Sequence, residues 1–125
     1  MRRLGAALLL FAALCAVSTI VSEEVVRVNE RAEAGVKESI ALAEKGEKEE
    51  ARKTLSETAA MWQKSRRFLE AILHHETIEH AEEGFLASLR ALDVSREVFL
   101  MEAEKLAMTL HTLSEGDAAV AGNVF

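Results

Sequence analysis

Apolar residues recur along most of this chain at alternating steps of three and four. That is the period of a helix with one buried face. The first such stripe is Val25, Val28, Ala32, Val36, Ile40 and Ala43. It ends at Lys45-Gly46, a cation followed by a glycine suited to the left-handed position after a helix. Glu47, Glu49 and Glu50 then place acid in the next first turn, where the helix dipole favours it. The second stripe is Ala51, Leu55, Thr58, Trp62, Ser65, Leu69 and Ile72, widened by Ala59, Met61, Phe68 and Leu73. Its regular seam predicts one helix from Glu47 to about Leu73.

Continuing that seam would bury Glu76, Glu79 and Glu83. The apolar set instead restarts out of phase at Ile78, Ala81, Phe85, Leu89 and Leu92, so a turn or kink is expected over His74-His75-Glu76-Thr77. Asp93 and Ser95 are both good N-cap residues for a last helix carrying Phe99, Ala103, Leu106, Leu110 and Leu113. Ser114-Glu115-Gly116-Asp117 is expected to end it, with Gly122-Asn123 as a bend in the tail.

The opening segment follows a different rule. Met1-Arg2-Arg3 is cationic, Leu4 to Val21 carries no charge over 18 residues, and Glu23-Glu24 follows. As a helix this stretch spans about 27 Å, close to the ~30 Å of a bilayer's hydrocarbon core. Cations before it and acids after it put the N-terminus in the cytoplasm and the rest outside. The alternative is a cleaved signal peptide, since Ala16-Val17-Ser18 offers small residues where a peptidase looks. The apolar stretch is longer than the ~7–15 residues of a usual signal core, and it enters a helical pattern without Gly or Pro before Gly35. Both favour an uncleaved anchor. Cys15 follows Leu14 rather than the small residue of a lipoprotein signal, so it reads as a side chain among lipid tails.

The expected fold is therefore all-α: an N-terminal transmembrane helix (1–22), an antiparallel up-down bundle of about four helices (23–116) and a C-terminal tail (117–125). In that arrangement Gly46 is the membrane-distal corner, while the His74–Thr77 corner and the tail lie near the lipid. Composition narrows the function. The charge of −6, from 15 Lys+Arg against 21 Asp+Glu, is a poor match to nucleic acid. One Cys excludes a disulfide scaffold and any Cys-based zinc site, and the absence of Pro agrees with long helices.

With these stripes go Glu44-Lys45-Gly46, Ala51-x-x-x-Leu55, Trp62 followed by Lys64-Ser65-Arg66-Arg67, His75-Glu76-x-Ile78 and a closing Asn123-Val124-Phe125. Together with the anchor, these resemble the short bacterial membrane-anchored proteins grouped as domain of unknown function 4363. The resemblance spans the chain through loose helical motifs. It implies an anchor with helices at the cell membrane; the family has no assigned activity, so nothing catalytic carries over from it.

Candidate chemistry is sparse. His75-Glu76-Thr77-Ile78-Glu79-His80 comes near a zinc-protease helix, which needs histidines at i and i+4. Here they are at i and i+5, about 140° apart at ~100° per residue. A di-iron Glu-x-x-His pattern fails as well, because Thr77 and Met108 precede His80 and His111 by three. Glu76, Glu79, His80 and Glu83 could share a face as a weak cation corner. The simpler reading is that histidines suit a helix end and glutamates the next start. His111 lies beside the last stripe without a ligand-spaced partner. Gly46-Glu47-x-x-x-Ala51 is like one tetratricopeptide turn, but such arrays need about three units.

No catalytic, cofactor or metal residues are assigned, and an enzyme is not expected. Lys64, Arg66 and Arg67 are the candidates for contact with anionic lipid or an acidic partner; the alternative is an ordinary solvated face. The expected role is a membrane-anchored extracytoplasmic structural or protein-interaction module. Its partners would be membrane lipid through the first helix and another envelope protein or a second copy. A secreted helical protein binding a ligand or metal after cleavage is the alternative.

Overall fold

A computed structural model of the chain describes residues 2–70 and 73–124; at 21–22 and 114–124 it describes the backbone alone. The described residues form helices and short connections, with no strand among them. The order is α1 (Arg2–Glu44), α2 (Lys48–Lys64), α3 (Arg66–Glu70), α4 (His75–Ala91) and α5 (Arg96–Val124).

The apolar opening and the first amphipathic stripe are one helix. No proline or capping residue interrupts α1, which at ~1.5 Å per residue runs about 65 Å. Its two halves differ in burial. Leu4, Leu8, Leu9, Phe11, Leu14 and Ile20 are 62–74% exposed. From Val25 onward one face is buried: Val25, Val28, Ala32, Val36 and Ala43, with the polar Asn29 and Ser39. The exposed half is long and apolar enough to cross a membrane, as a signal sequence also is.

The turn after α1 has the expected glycine. Gly46 has φ 84°. Its N–H donates to the Ala43 carbonyl at 3.0 Å, and the Glu47 N–H to that of Leu42 at 2.9 Å. This is a Schellman closure, which satisfies carbonyls that a helix end leaves open.

The helical bundle is built on α1, which packs against both α2 and α5, while α4 packs against α5 and more lightly on α2 and α3. The small residues of α1 let α2 approach closely. The Ser39 hydroxyl donates to the Ala51 carbonyl at 3.1 Å. At Gly35 an added Cβ would collide with Thr58 Oγ1, and would stand 2.8 Å from its Cγ2 and 3.0 Å from its Cβ. Thr58 has no easy escape, because its branch is at Cβ and its hydroxyl donates to Thr54 O at 2.8 Å. In an open helix Gly→Ala gains about 1 kcal/mol; overpacking costs about 1–3 kcal/mol. Gly35→Ala should therefore be neutral to destabilising alone, yet stabilising by about 1 kcal/mol when combined with Thr58→Ala. Denaturant melts of the four variants would check this, and equal effects in both backgrounds would refute the close contact.

Three sequence expectations change. The second helix is not continuous to Leu73, because it breaks at Ser65. The Ser65 hydroxyl donates to Met61 O at 3.1 Å, and its N–H is shared between Met61 O and Trp62 O. Such back-bonding competes with the regular ladder and bends helices. α3 then carries the buried Leu69, while Ile72 lies outside the described residues. In α4 the stripe passes through Ser88, which is fully buried, instead of Leu89, which is only half-buried. Finally, α5 does not stop at Ser114–Asp117 but runs to Val124. One glycine without proline is too weak a stop before Ala118-Ala119-Val120-Ala121; Phe125 lies outside the described residues.

The turn expected near His74 is present: His74 is extended, with φ −65° and ψ 144°, just before α4. Of the two cap residues expected for α5, Ser95 does the work, its hydroxyl accepting the Val98 N–H at 3.2 Å. Asp93 is used elsewhere.

Candidate functional site

Among the described residues, the charged side chains that bridge helices gather in three places. The first is the corner joining α2, α3 and α4. Arg66, two-thirds buried, donates from Nε to Glu70 Oε1 at 2.8 Å. Its Nη1 reaches Glu82, donating to Oε2 at 3.2 Å and lying 3.0 Å from Oε1 out of hydrogen-bonding alignment. The Glu70 hydrogen bond, and then the Glu82 charge, raise the Arg66 pKa above its ordinary value. Arg66 thus ties α3 to α4 and is committed within the protein. Lys64 and Arg67 are exposed, and neither has an ion pair among the described residues. Of the three candidate contact residues, these two remain open to an outside partner.

The same corner places the histidines. His75 Nε2 stands 2.8 Å from Glu79 Oε1, one turn along α4. His80 instead opens into the groove between α4 and α5 with Glu83, Glu102 and Lys105. His75 and His80 therefore diverge, as their spacing requires. No group of three His, Cys, Asp or Glu among the described residues could hold a metal ion.

The second place is the opposite end. Arg52 Nη2 donates to Asp93 Oδ1 at 2.6 Å, joining the start of α2 to the α4–α5 connection, with Lys48 Nζ 3.9 Å from the same oxygen. The Arg52 hydrogen bond and charge, then Lys48, hold the Asp93 carboxyl below its ordinary pKa. A lowered folded pKa contributes stability that is present above the unfolded value and lost as pH falls through the folded one. Wild type should therefore exceed Asp93→Asn in melting temperature at neutral pH. The gap should close below about pH 4, where the free carboxyl protonates. A gap constant from pH 7 to pH 2 would show that the carboxylate charge plays no part.

The third is between α1 and α5. His111 Nδ1 lies 3.2 Å from Glu33 Oε1, and Lys37 Nζ lies 3.0 Å from the same oxygen. Spacing along the chain offers no partner for His111, because the partner is 78 residues away and its approach depends on how the helices pack. Arg52–Asp93 was hidden for the same reason.

None of these clusters aligns a nucleophile, a base and an orienting group. No family model, curated protein or solved structure matches the chain.

Proposed function

We propose that this chain is a single-pass membrane protein whose helical domain stands outside the membrane as a structural or protein-interaction module. The observation that carries the reading is the continuity of α1. The helix passes from a half whose large apolar side chains are exposed into a half that is a core element of the bundle, with Val25 fully buried. On this reading the exposed half spans the bilayer and the bundle sits on the surface without a linker. The N-terminus is cytoplasmic, following Arg2-Arg3 before the span and Glu23-Glu24 after it.

In the arrangement we propose, α1, α2, α4 and α5 form an up-down-up-down bundle. Three cross-helix pairs support it: Ser39 with Ala51, Gly35 with Thr58, and Glu33 with His111. Between α1 and α2 the order reverses, Gly35 with Thr58 and Ser39 with Ala51, as antiparallel neighbours require. Gly46 and Asp93 then mark the membrane-distal tip, and α3 with His74 faces lipid. Lys64 and Arg67 become the lipid-facing cations there, each worth around 1 kcal/mol near anionic headgroups. A place among the bacterial proteins of domain of unknown function 4363 would fit this architecture.

Expression of the full chain with single labelling cysteines tests the proposal. In a Cys15→Ala background, Glu47→Cys should be modified by an impermeant reagent from outside and should lie farther from the bilayer than Glu76→Cys. The protein should pellet with membranes at full length. A mature N-terminus at Thr19 or later, with release into the medium, would replace this reading by the secreted one.

A further inference from the structure

At the end of the bundle marked by Gly46 there is a pocket of about 220 Å³. Its apolar wall is Ala43, Leu92 and Phe99, all core residues, and Lys48, Arg96 and Gly46 complete it. The volume exceeds the ~150 Å³ that admits a benzene ring in an apolar cavity, so a ring or branched alkyl group with a short tether fits.

The cations are in unfavourable places for stability. Lys48 and Arg96 are the first residues of α2 and α5. The dipole makes a helix start positive, so a cation there is mildly destabilising. Glu49, Glu50 and Glu97 in the same first turns partly offset this. Of the two, only Lys48 has an ion pair among the described residues, and it is a long one. Lys48 is 3.9 Å from Asp93, whose near oxygen Arg52 already holds at 2.6 Å. Arg96 is exposed and has no ion pair among the described residues. Two helices thus each spend their first position on a cation, and both cations line one small apolar pocket. Two exposed cations beside an apolar wall match a ligand with an apolar body and one negative charge.

We propose that this pocket binds a carboxylate carried on a short apolar group, with the ring or alkyl part against Phe99 and Leu92 and the carboxylate between Lys48 and Arg96. The two sources of that chemistry are a free monocarboxylic acid and the last residue of a polypeptide. A free amino acid fits poorly, since its ammonium would meet two cations. The site depends only on the packing of α1, α2, α4 and α5, and stands whether or not the apolar half of α1 crosses a bilayer.

The test is a nuclear magnetic resonance titration of the full chain in zwitterionic lipid nanodiscs. The probes are 3-phenylpropanoate, its neutral amide, and a tetrapeptide ending in Phe with a free or amidated terminus. The acid should shift the Ala43, Leu92 and Phe99 signals with a Kd of roughly 1 mM, as a ligand this small allows. The amide should bind about 5-fold more weakly, and Lys48→Gln/Arg96→Gln should weaken the acid to the same degree, the scale of two exposed ion pairs. Removing cations from two helix starts should leave the fold intact or firmer, so lost binding in that variant reports the site. Tighter binding of the free-terminus peptide than of the acid assigns the source to a polypeptide end; the reverse assigns it to a small acid. Equal binding of acid and amide, an unaffected double variant, or no shift at these three residues would overturn the proposal.

Discussion

Trp62→Ala should lower the melting temperature of the helical domain by about 15–30 °C. Trp62 is fully buried and its ring lies 6.0 Å from that of Phe85 at 45°, coupling α2 to α4 where those helices otherwise touch lightly. Truncating a buried Trp costs about 3–5 kcal/mol in lost burial and cavity. A domain of about a hundred residues has only ~5–15 kcal/mol in hand, and each kcal/mol shifts its melting point by about 4–8 °C. Trp62→Phe separates the ring from its polar edge. The indole N–H is buried and has no hydrogen-bond partner among the described residues, and an orphaned buried donor costs about 1–3 kcal/mol. Phe removes that cost while leaving a small void, so the two terms largely cancel and the melting point should move by only a few degrees. Circular dichroism melts of the full chain in nanodiscs would measure both. A Trp62→Ala melt within 5 °C of wild type would mean that Trp62 is not the centre of the core.

The contrast between those two variants reflects what a linear sequence can show. Periodicity identified the buried faces because a helix repeats its orientation every three or four residues. Val25, Val28, Ala32 and Val36, then Ala51, Leu55, Thr58 and Trp62, then Phe99, Ala103, Leu106 and Leu110 are all buried as their spacing requires. The glycine turn at Gly46 and the cap at Ser95 were also legible, since each is a local device of a few residues.

Interactions between helices were not legible. Gly35 gave no sign that it faces Thr58, because that depends on the rotation of two helices about their axes. Asp93 matched a cap motif, yet its carboxylate goes to Arg52, 41 residues earlier, and Ser95 caps α5 instead. Arg66 belonged to a basic run by sequence, but Glu82 on α4 draws it inward, leaving Lys64 and Arg67 outside. The tip pocket was hidden for a related reason. Ala43, Lys48 and Phe99 each suit an ordinary place on their own helix, and only packing sets them around one space.

Asn29→Leu should stabilise the domain by about 1–3 kcal/mol. Asn29 is fully buried on α1, and neither its amide nitrogen nor its amide oxygen has a hydrogen-bond partner among the described residues. A stranded amide costs about 1–3 kcal/mol, whereas an apolar side chain of similar size adds burial instead. The expected outcome for Asn29→Leu is a higher melting temperature, read by circular dichroism. The two side chains are close in size, so neither a large void nor a clash offsets the gain. A lower melting temperature would mean that the amide is hydrogen-bonded inside the folded protein.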